Sequence, residues 1–508
     1  MSRLAPVPIT RDDAPWLGAA LAAGLLAVVI YLATNPYPAY GAGLYLRIAD
    51  AVAAGGYAPP VRIPGYTAEG VPFAYPPLQF YVLAVLLDLG ADPVSLARFL
   101  PSIGILAAIV PVYLLARDYA GSPPAGAAAG VVVALNPQLL QWHVSAGGLV
   151  RAFAFCYALT AIYAGYHVFD GGSRRAVAVG ALAFGATVLT HPTYSLFVVV
   201  TSLLLWGVRD RSLAGLTRGA AVGFGGALVA SPWLGWLTST HGIDVLTGAA
   251  GTHGGSGGVA TVGVSTTLLP LFGAAYLLWA RRDWFLAAWA VAAELLFAQP
   301  RFAFTVGSVV AGVAAVDVAR RVPSLEGRLS LPGDGTVERR AVAAAACLLL
   351  ASVAGGGYLA YEMTLPSDPS TPAFLDDEDV GAMAWAEAET RPDATFVVLG
   401  DAAEWFPTMA NRTILIGPWG VEWRDPDAYE TQLATFEAVS HCDGVDCVER
   451  ELSRVDADPD YVYLPKGAYT VRGESEVTFG SLDHSFAASP DWERAYENDG
   501  VVVYRAVE

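Results

Sequence analysis

Apolar runs of near-membrane length recur through the first two-thirds of the chain, separated by short polar breaks carrying arginine. A bilayer span needs about 20 apolar residues. On that measure the pattern predicts about eleven spans, near 14–33, 96–116, 123–140, 151–169, 176–190, 193–208, 219–237, 264–280, 283–298, 302–320 and 341–361. The first run is too long, and lacks the small-residue site, for a cleaved leader. Arg3, Arg11, Arg117, Arg174 with Arg175, Arg209 with Arg211 and Arg218, Arg281 with Arg282, and Arg320 through Arg340 then share one face, which the positive-inside rule makes cytoplasmic. The run from Pro76 to Leu89 would reach only about 21 Å as a helix, so it is read as lying along the outer surface.

An odd span count places residues 362–508 outside the cell. Their pattern is that of an α/β domain: a helical run from Asp376 to Thr390, strands at Thr395–Leu399 and Thr413–Ile416, and a helix through Tyr429 and Phe436. Residues Trp492 to Ala506 predict a hairpin, because Asn498-Asp499-Gly500 stands between alternating apolar positions. The division expected is therefore a membrane domain, 1–361, with an outer loop at 34–97, and an external domain, 362–508. Gly242 to Gly263, around Ser256, reads as a flexible outer loop.

Composition sharpens this division. Of 508 residues 55% are hydrophobic and 15% charged, well below the roughly 25% charge of soluble domains. Residues 362–508 hold 31 acidic and 9 basic side chains, net −22, while the remainder is +4. Lys466 is the only lysine. So much acid with so little lysine resembles the proteins of salt-loving archaea. It argues against a nucleic-acid partner, whose phosphates need Lys and Arg. Cys156 and Cys347 lie in apolar runs and read as inert core residues. Cys442 and Cys447 bracket four residues and can close a disulfide loop in an oxidising compartment. A metal site with His441 is the alternative at that position.

The outer loop carries the polar chemistry. Asn35-Pro36-Tyr37 opens it, an amphipathic piece reaches Gly56, and Tyr75-Pro76-Pro77-Leu78 follows a turn-rich segment containing Glu69. Asp92 to Arg98 then leads into the second span. A first span, a long outer loop, a Pro-Pro-Leu tract and an external domain after roughly a dozen spans resemble the GT-C glycosyltransferases, most nearly their protein-mannosyltransferase and aminoarabinose-transferase branch. The likeness is best over residues 35–118. There the tract is often His-Pro-Pro-Leu; here Tyr75 replaces the histidine. The resemblance implies inverting transfer of a sugar from a polyprenyl (dolichyl) phosphate to a glycan, lipid or protein acceptor on the outer face. Such transfer needs a carboxylate base and cations at the leaving phosphate. It implies no certain cofactor beyond the lipid-linked donor.

Those enzymes carry an acid directly after the first span. This chain has Thr34-Asn35-Pro36, and an amide is not a base. Glu69 or Asp50 then takes that role, or the protein is an inactive relative that binds lipid-linked sugars or scaffolds envelope assembly. Asp50 also reads as the partner of Arg47 in a surface ion pair; Asp88 and Asp92 read as helix-end residues. Arg98, Arg151 and Arg301 each stand near the outer start of a span, where an arginine fork suits phosphate or snorkels to headgroups. His143 and His191 are also outer; His191 precedes a proline and either satisfies backbone there or contacts substrate. His241 and Asp244, with His253, offer metal-type side chains in a loop without fixed geometry. Glu404-Trp405 and Pro418-Trp419-Gly420-Val421-Glu422-Trp423 pair tryptophan with carboxylates, as sugar sites and buried cores both do. Asn411-Arg412-Thr413 is a glycosylation sequon. A transporter would show paired repeats and midplane charges, and the sequence has neither.

Overall fold

The computed structural model describes residues 9–245, 268–297, 299–330, 336–365, 369–471 and 475–507. The chain divides into two compact units, one formed from Met1–Pro36, Phe99–Trp233 and Ser256–Ser370, the other from Tyr37–Arg98, Leu234–Gly255 and Thr371–Glu508. Expectations for His253 and for most of the glycine-rich segment fall outside the described residues.

The first unit is a bundle of apolar helices. Among the described residues each of the eleven expected spans overlaps a helix, and the one expected at 123–140 breaks at Asn136 into Pro123–Leu135 and Pro137–Val144. Among the described residues, seven helices are long and apolar enough to cross a membrane: Ala14–Thr34, Pro93–Ala120, Gly148–Gly171, Pro192–Arg209, Leu213–His241, Pro300–Arg320 and Arg339–Met363. The other four, Pro123–Leu135, Arg174–Val188, Leu268–Arg281 and Trp284–Phe297, have 13, 15, 14 and 14 residues. Small residues let the helices approach, as membrane bundles require because lipid provides no hydrophobic drive between helices. A Cβ on Gly130 would stand 2.6 Å from Ala20 Cβ, and one on Gly312 would stand 2.3 Å from the Ala125 carbonyl.

At one end of this bundle lies a buried ionic cluster. Arg117 donates to Asp13 at 3.1 Å and to Asp118 at 2.7 Å, and Asp118 also contacts His167 at 3.1 Å. Tyr113 and Tyr163 donate to Asp13 and Asp118 at 2.8 and 2.9 Å. The sequence pattern places Arg117 just past a span on the arginine-rich face; in the structure it lies within helix Pro93–Ala120 and is only 4% exposed, because Asp13 and Asp118 neutralise it inside the bundle.

The second unit is α/β and joins two distant stretches of chain. Its five-stranded sheet runs Trp492–Glu497, Val501–Ala506, Tyr461–Pro465, Thr395–Val398, Thr413–Ile414. The last three strands are parallel to one another and the first two pairings are antiparallel. Helices Asp377–Glu389 and Pro426–Ser440 accompany the expected strands, and the hairpin turns at Asn498, whose Oδ1 accepts from the Gly500 and Val501 amides. Cys442 and Cys447 are disulfide-bonded, with Cα atoms 5.6 Å apart.

Residues 37–98 belong to this unit, whereas the sequence reading attached them to the membrane domain. Backbone contacts are the reason. Tyr40 N–H donates to the Pro372 carbonyl at 3.0 Å, Ile414 N–H donates to the Gly65 carbonyl at 2.9 Å, and Tyr66 OH donates to the Glu404 carbonyl at 2.6 Å. Trp405, fully buried, donates from Nε1 to the Tyr40 carbonyl at 3.2 Å. A Cβ on Gly43 would stand 2.0 Å from the Glu404 carbonyl oxygen, so only glycine permits that approach. Leu78–Asp88, the expected surface helix, has 11 residues; it buries Phe80, Leu83 and Ala84 and exposes Val82 and Val85.

Candidate functional site

In the second unit Glu69 sits at the tip of a small hairpin, where Ile63 pairs with Val71 and Arg62 with Pro72. Gly70 closes the tip at φ +72°, with its Cβ position 2.7 Å from the Ile63 carbonyl, a combination restricted to glycine. The Glu69 carboxylate is 60% exposed and pairs with Arg424 at 3.2 Å. Arg62 donates to the Glu69 carbonyl at 3.1 Å. Asp50 lies on helix Gly43–Ala54, 58% exposed and paired at 3.2 Å with Arg47, which also donates to the Pro64 carbonyl of the hairpin at 3.3 Å.

Beside Glu69 opens a cavity of about 640 Å³ lined by Arg62, Pro72, Thr240, His241, Asp244, Glu422, Trp423, Arg424 and Asp425, among others. Tyr75 meets Trp423 edge-on at 5.4 Å, Tyr45 at 5.5 Å and Phe80 at 5.5 Å, so it holds the wall rather than facing open space. Of the two tryptophan tracts, Trp405 is core and Trp419 packs on Phe436 at 5.2 Å; Trp423 alone of these three lines the cavity.

In the first unit four of the expected binding residues come together around Tyr194, which the sequence reading did not single out. His143 is fully buried, with Nδ1 2.5 Å from the Leu139 carbonyl and Nε2 2.6 Å from Tyr194 OH. A carbonyl can only accept, so Nδ1 carries the proton and Nε2 accepts from the tyrosine. Burial is the main cause pushing His143 down to about 3, and Arg301 and Arg151 push the same way. It is therefore neutral. Arg301 lies over Tyr194 with Cζ 5.8 Å from the ring centroid, and over Phe302 at 5.4 Å. Arg151 lies over Trp142 at 5.4 Å. His191 meets Tyr194 edge-on at 5.1 Å, and its Nδ1 accepts from Thr193 N–H at 3.3 Å, capping the helix that begins at Pro192.

Glycine makes room for this cluster. A Cβ on Gly147 would stand 2.2 Å from Arg151 Nη1, and one on Gly148 would stand 2.2 Å from the His143 carbonyl. The result is two guanidinium groups against aromatic faces around a neutral imidazole, a setting suited to an anion. Arg98, on helix Pro93–Ala120, is grouped with the second unit. Asn35 is 6% exposed; its Nδ2 donates to the Tyr31 carbonyl at 3.0 Å and to Thr34 Oγ1 at 2.9 Å, at the end of the first helix. Among the described residues, no three His, Cys, Asp or Glu side chains stand together as metal ligands.

Sequence reasoning missed Tyr194, Arg62 and Arg424 as site residues. Tyr194 lay three positions beyond His191, on the next helical turn, which was the available signal. Arg62 is marked only as one of the charges of the outer loop beside the bilayer, and nothing local marks Arg424.

The fold is that of the GT-C membrane glycosyltransferases. Similar solved structures include the Archaeoglobus fulgidus oligosaccharyltransferase tethered to an acceptor peptide containing the NVT sequon, at 16% identity and TM-score 0.58 over 89% of this chain and 69% of that one. ArnT from Cupriavidus metallidurans bound to undecaprenyl phosphate aligns at 15% identity and TM-score 0.58 over 97% of this chain and 98% of the other. The mycobacterial arabinofuranosyltransferase AftD aligns at 15% identity and TM-score 0.60 over 99% of this chain and 42% of its own. No protein-family model matches the sequence, and no curated protein matches it.

Proposed function

We propose that the protein is a plasma-membrane glycosyltransferase that moves a sugar, a hexose such as mannose, from a polyprenyl-phosphate donor to an acceptor on the outer face. The observation that most supports this is the convergence of Arg151 and Arg301 on the His143–Tyr194 pair in a bundle of apolar helices. Two fixed cations in a low-dielectric setting would stabilise the charge that develops on a departing phosphate far more than they would in water. Arg98 is a further proposed phosphate-binding residue, and His191 orients Tyr194 by its ring contact.

In this reading the acceptor hydroxyl oxygen forms a bond to the anomeric carbon as the carbon–phosphate oxygen bond breaks. Polyprenyl phosphate leaves with the bonding electrons, and the hydroxyl proton passes to a carboxylate. Glu69 is the proposed base, with Asp50 as the next candidate. Arg424 fixes Glu69 at the hairpin tip, and Tyr75 holds the neighbouring wall. The external placement of residues 362–508 belongs to the same proposal and rests on the arginine-rich breaks.

The test uses purified protein in lipid with a polyprenyl-phosphate hexose, measuring release of polyprenyl phosphate and labelled product. Arg301→Ala is expected to raise the donor KM by roughly 10- to 100-fold, the loss of a charge-assisted phosphate contact. Glu69→Gln is expected to abolish turnover while donor binding persists. Asn35 supports one other reading. Where related enzymes hold an acid, this amide is occupied in capping a helix, as in an inactive lipid-sugar-binding relative. Absence of any transfer by the wild type, with donor binding intact, selects that reading.

A further inference from the structure

Of the cavities, clusters and faces outside the arginine cluster, the cavity beside Glu69 carries most information. Its volume of about 640 Å³ falls in the range of small-molecule sites, roughly 300–1,000 Å³. Its chemistry is mixed. Arg62 and Arg424 only donate hydrogen bonds, whereas the carboxyl oxygens of Glu422, Asp244 and Asp425 offer acceptors. An anionic ligand would meet three carboxylates, and a cationic one two guanidinium groups. Neutral hydroxyl groups, which donate and accept at once, suit both sets.

Two atoms point the same way. Trp423 Nε1 and His241 Nε2 are buried and have no hydrogen-bond partner among the described residues. A buried polar atom left so is destabilising, and such atoms are rare without a reason. Both rings are braced. Trp423 is held by Tyr75, and His241 meets Trp236 edge-on at 5.6 Å, which in turn packs on Phe73 at 6.0 Å. Both rings are thus held in place, and the indole offers an apolar edge or face beside its N–H. Glu422 on the same wall is 93% buried, being 7% exposed.

We propose that this cavity is an acceptor subsite for a neutral pyranose ring, so that the acceptor is a glycan hydroxyl; the proposal rests on the sugar-transfer reading above and names its acceptor class. Trp423 Nε1–H donates to one ring hydroxyl oxygen and His241 Nε2 bonds a second hydroxyl. Arg62 and Arg424 bridge the lining to Glu69, through its carbonyl and its carboxylate respectively. A hydroxyl bound there is held beside the carboxylate proposed to take its proton.

The experiment is binding to the full-length protein in lipid nanodiscs, read by saturation-transfer NMR and calorimetry. The probes are the methyl glycosides of glucose, mannose and galactose, an Asn-Ala-Thr peptide, and undecaprenyl phosphate. At least one methyl glycoside is expected to bind. Trp423→Phe, which keeps a ring and removes the N–H, should weaken that binding about tenfold, and His241→Phe similarly. Undecaprenyl phosphate binding should be unchanged in both variants, which also reports that they are folded. No glycoside binding by the wild type, equal binding in both variants, or binding of the peptide alone would each overturn the proposal. Loss of undecaprenyl phosphate binding from the wild type, with glycosides still bound, would instead overturn the transferase reading and leave the cavity a glycan site.

Discussion

Gly147 and Gly148 are neighbours with opposite tolerances. The Cβ of Gly147→Ala would meet the far end of the Arg151 side chain, which can swing aside; that of Gly148→Ala would meet the His143 backbone carbonyl, which cannot. Gly147→Ala is therefore expected to leave the melting temperature nearly unchanged and to weaken undecaprenyl phosphate binding. Gly148→Ala should lower the melting temperature by itself. Equal loss of stability in both would show that the guanidinium position is not what glycine preserves. A second residue, Asp379, is buried in the second unit, accepting from Tyr463 OH at 2.6 Å and from the Asp376 amide at 3.2 Å. Burial outweighs these hydrogen bonds and raises its carboxyl from 3.8 to about 7. The folded state then binds more protons than the unfolded chain between about pH 4 and 7, so this contribution to stability is complete below pH 4 and lost as pH rises through 7. Asp379→Asn should flatten that part of a stability–pH curve measured by denaturation; an unchanged slope would remove Asp379 as its source.

Elements are joined in the first unit by the cluster of Asp13, Tyr113, Arg117, Asp118, Tyr163 and His167, which ties the segment before helix Ala14–Thr34 to Pro93–Ala120 and Gly148–Gly171. Removing one member of a buried ionic set leaves uncompensated charge and costs about 3–5 kcal/mol. Arg117→Ala should therefore destabilise strongly, while Arg281→Ala, whose nearest carboxylate is Asp317 at 3.7 Å and which is 30% exposed, should cost under about 1 kcal/mol. Thermal denaturation in detergent compares the two. The Pro-Pro-Leu tract shows the same dependence on surroundings. It starts helix Leu78–Asp88 as its prolines suggest, yet Tyr75 before it is a packing residue on Trp423 rather than an exposed ligand.

At the scale of the whole molecule, charge segregation leads to a topological expectation. With Cys156 and Cys347 replaced by serine, a cysteine at position 499 should react with an impermeant maleimide in intact cells, and one at position 281 should react only after permeabilisation. The reverse pattern would invert the membrane orientation. The two-unit division adds that residues 37–98 are held by hydrogen bonds to the segment after Thr371.

The apolar helices, the Asp-Gly hairpin, the helix through Tyr429 and the acidic character of the last third were legible in the sequence. Each depends on residues within one or two turns of each other, so local period and composition encode them. The cysteine pair was legible for the same reason, being five positions apart. Strand Tyr461–Pro465 was not, although it is central to the sheet, because its identity comes from pairing with Thr395–Val398 and Val501–Ala506. Glu69 and Arg424 are 355 positions apart, and Trp423 and His241 reach one cavity from segments that no periodicity connects. Those meetings depend on which surfaces pack, a property of side-chain shape and long-range backbone pairing, and only the tertiary structure decided them.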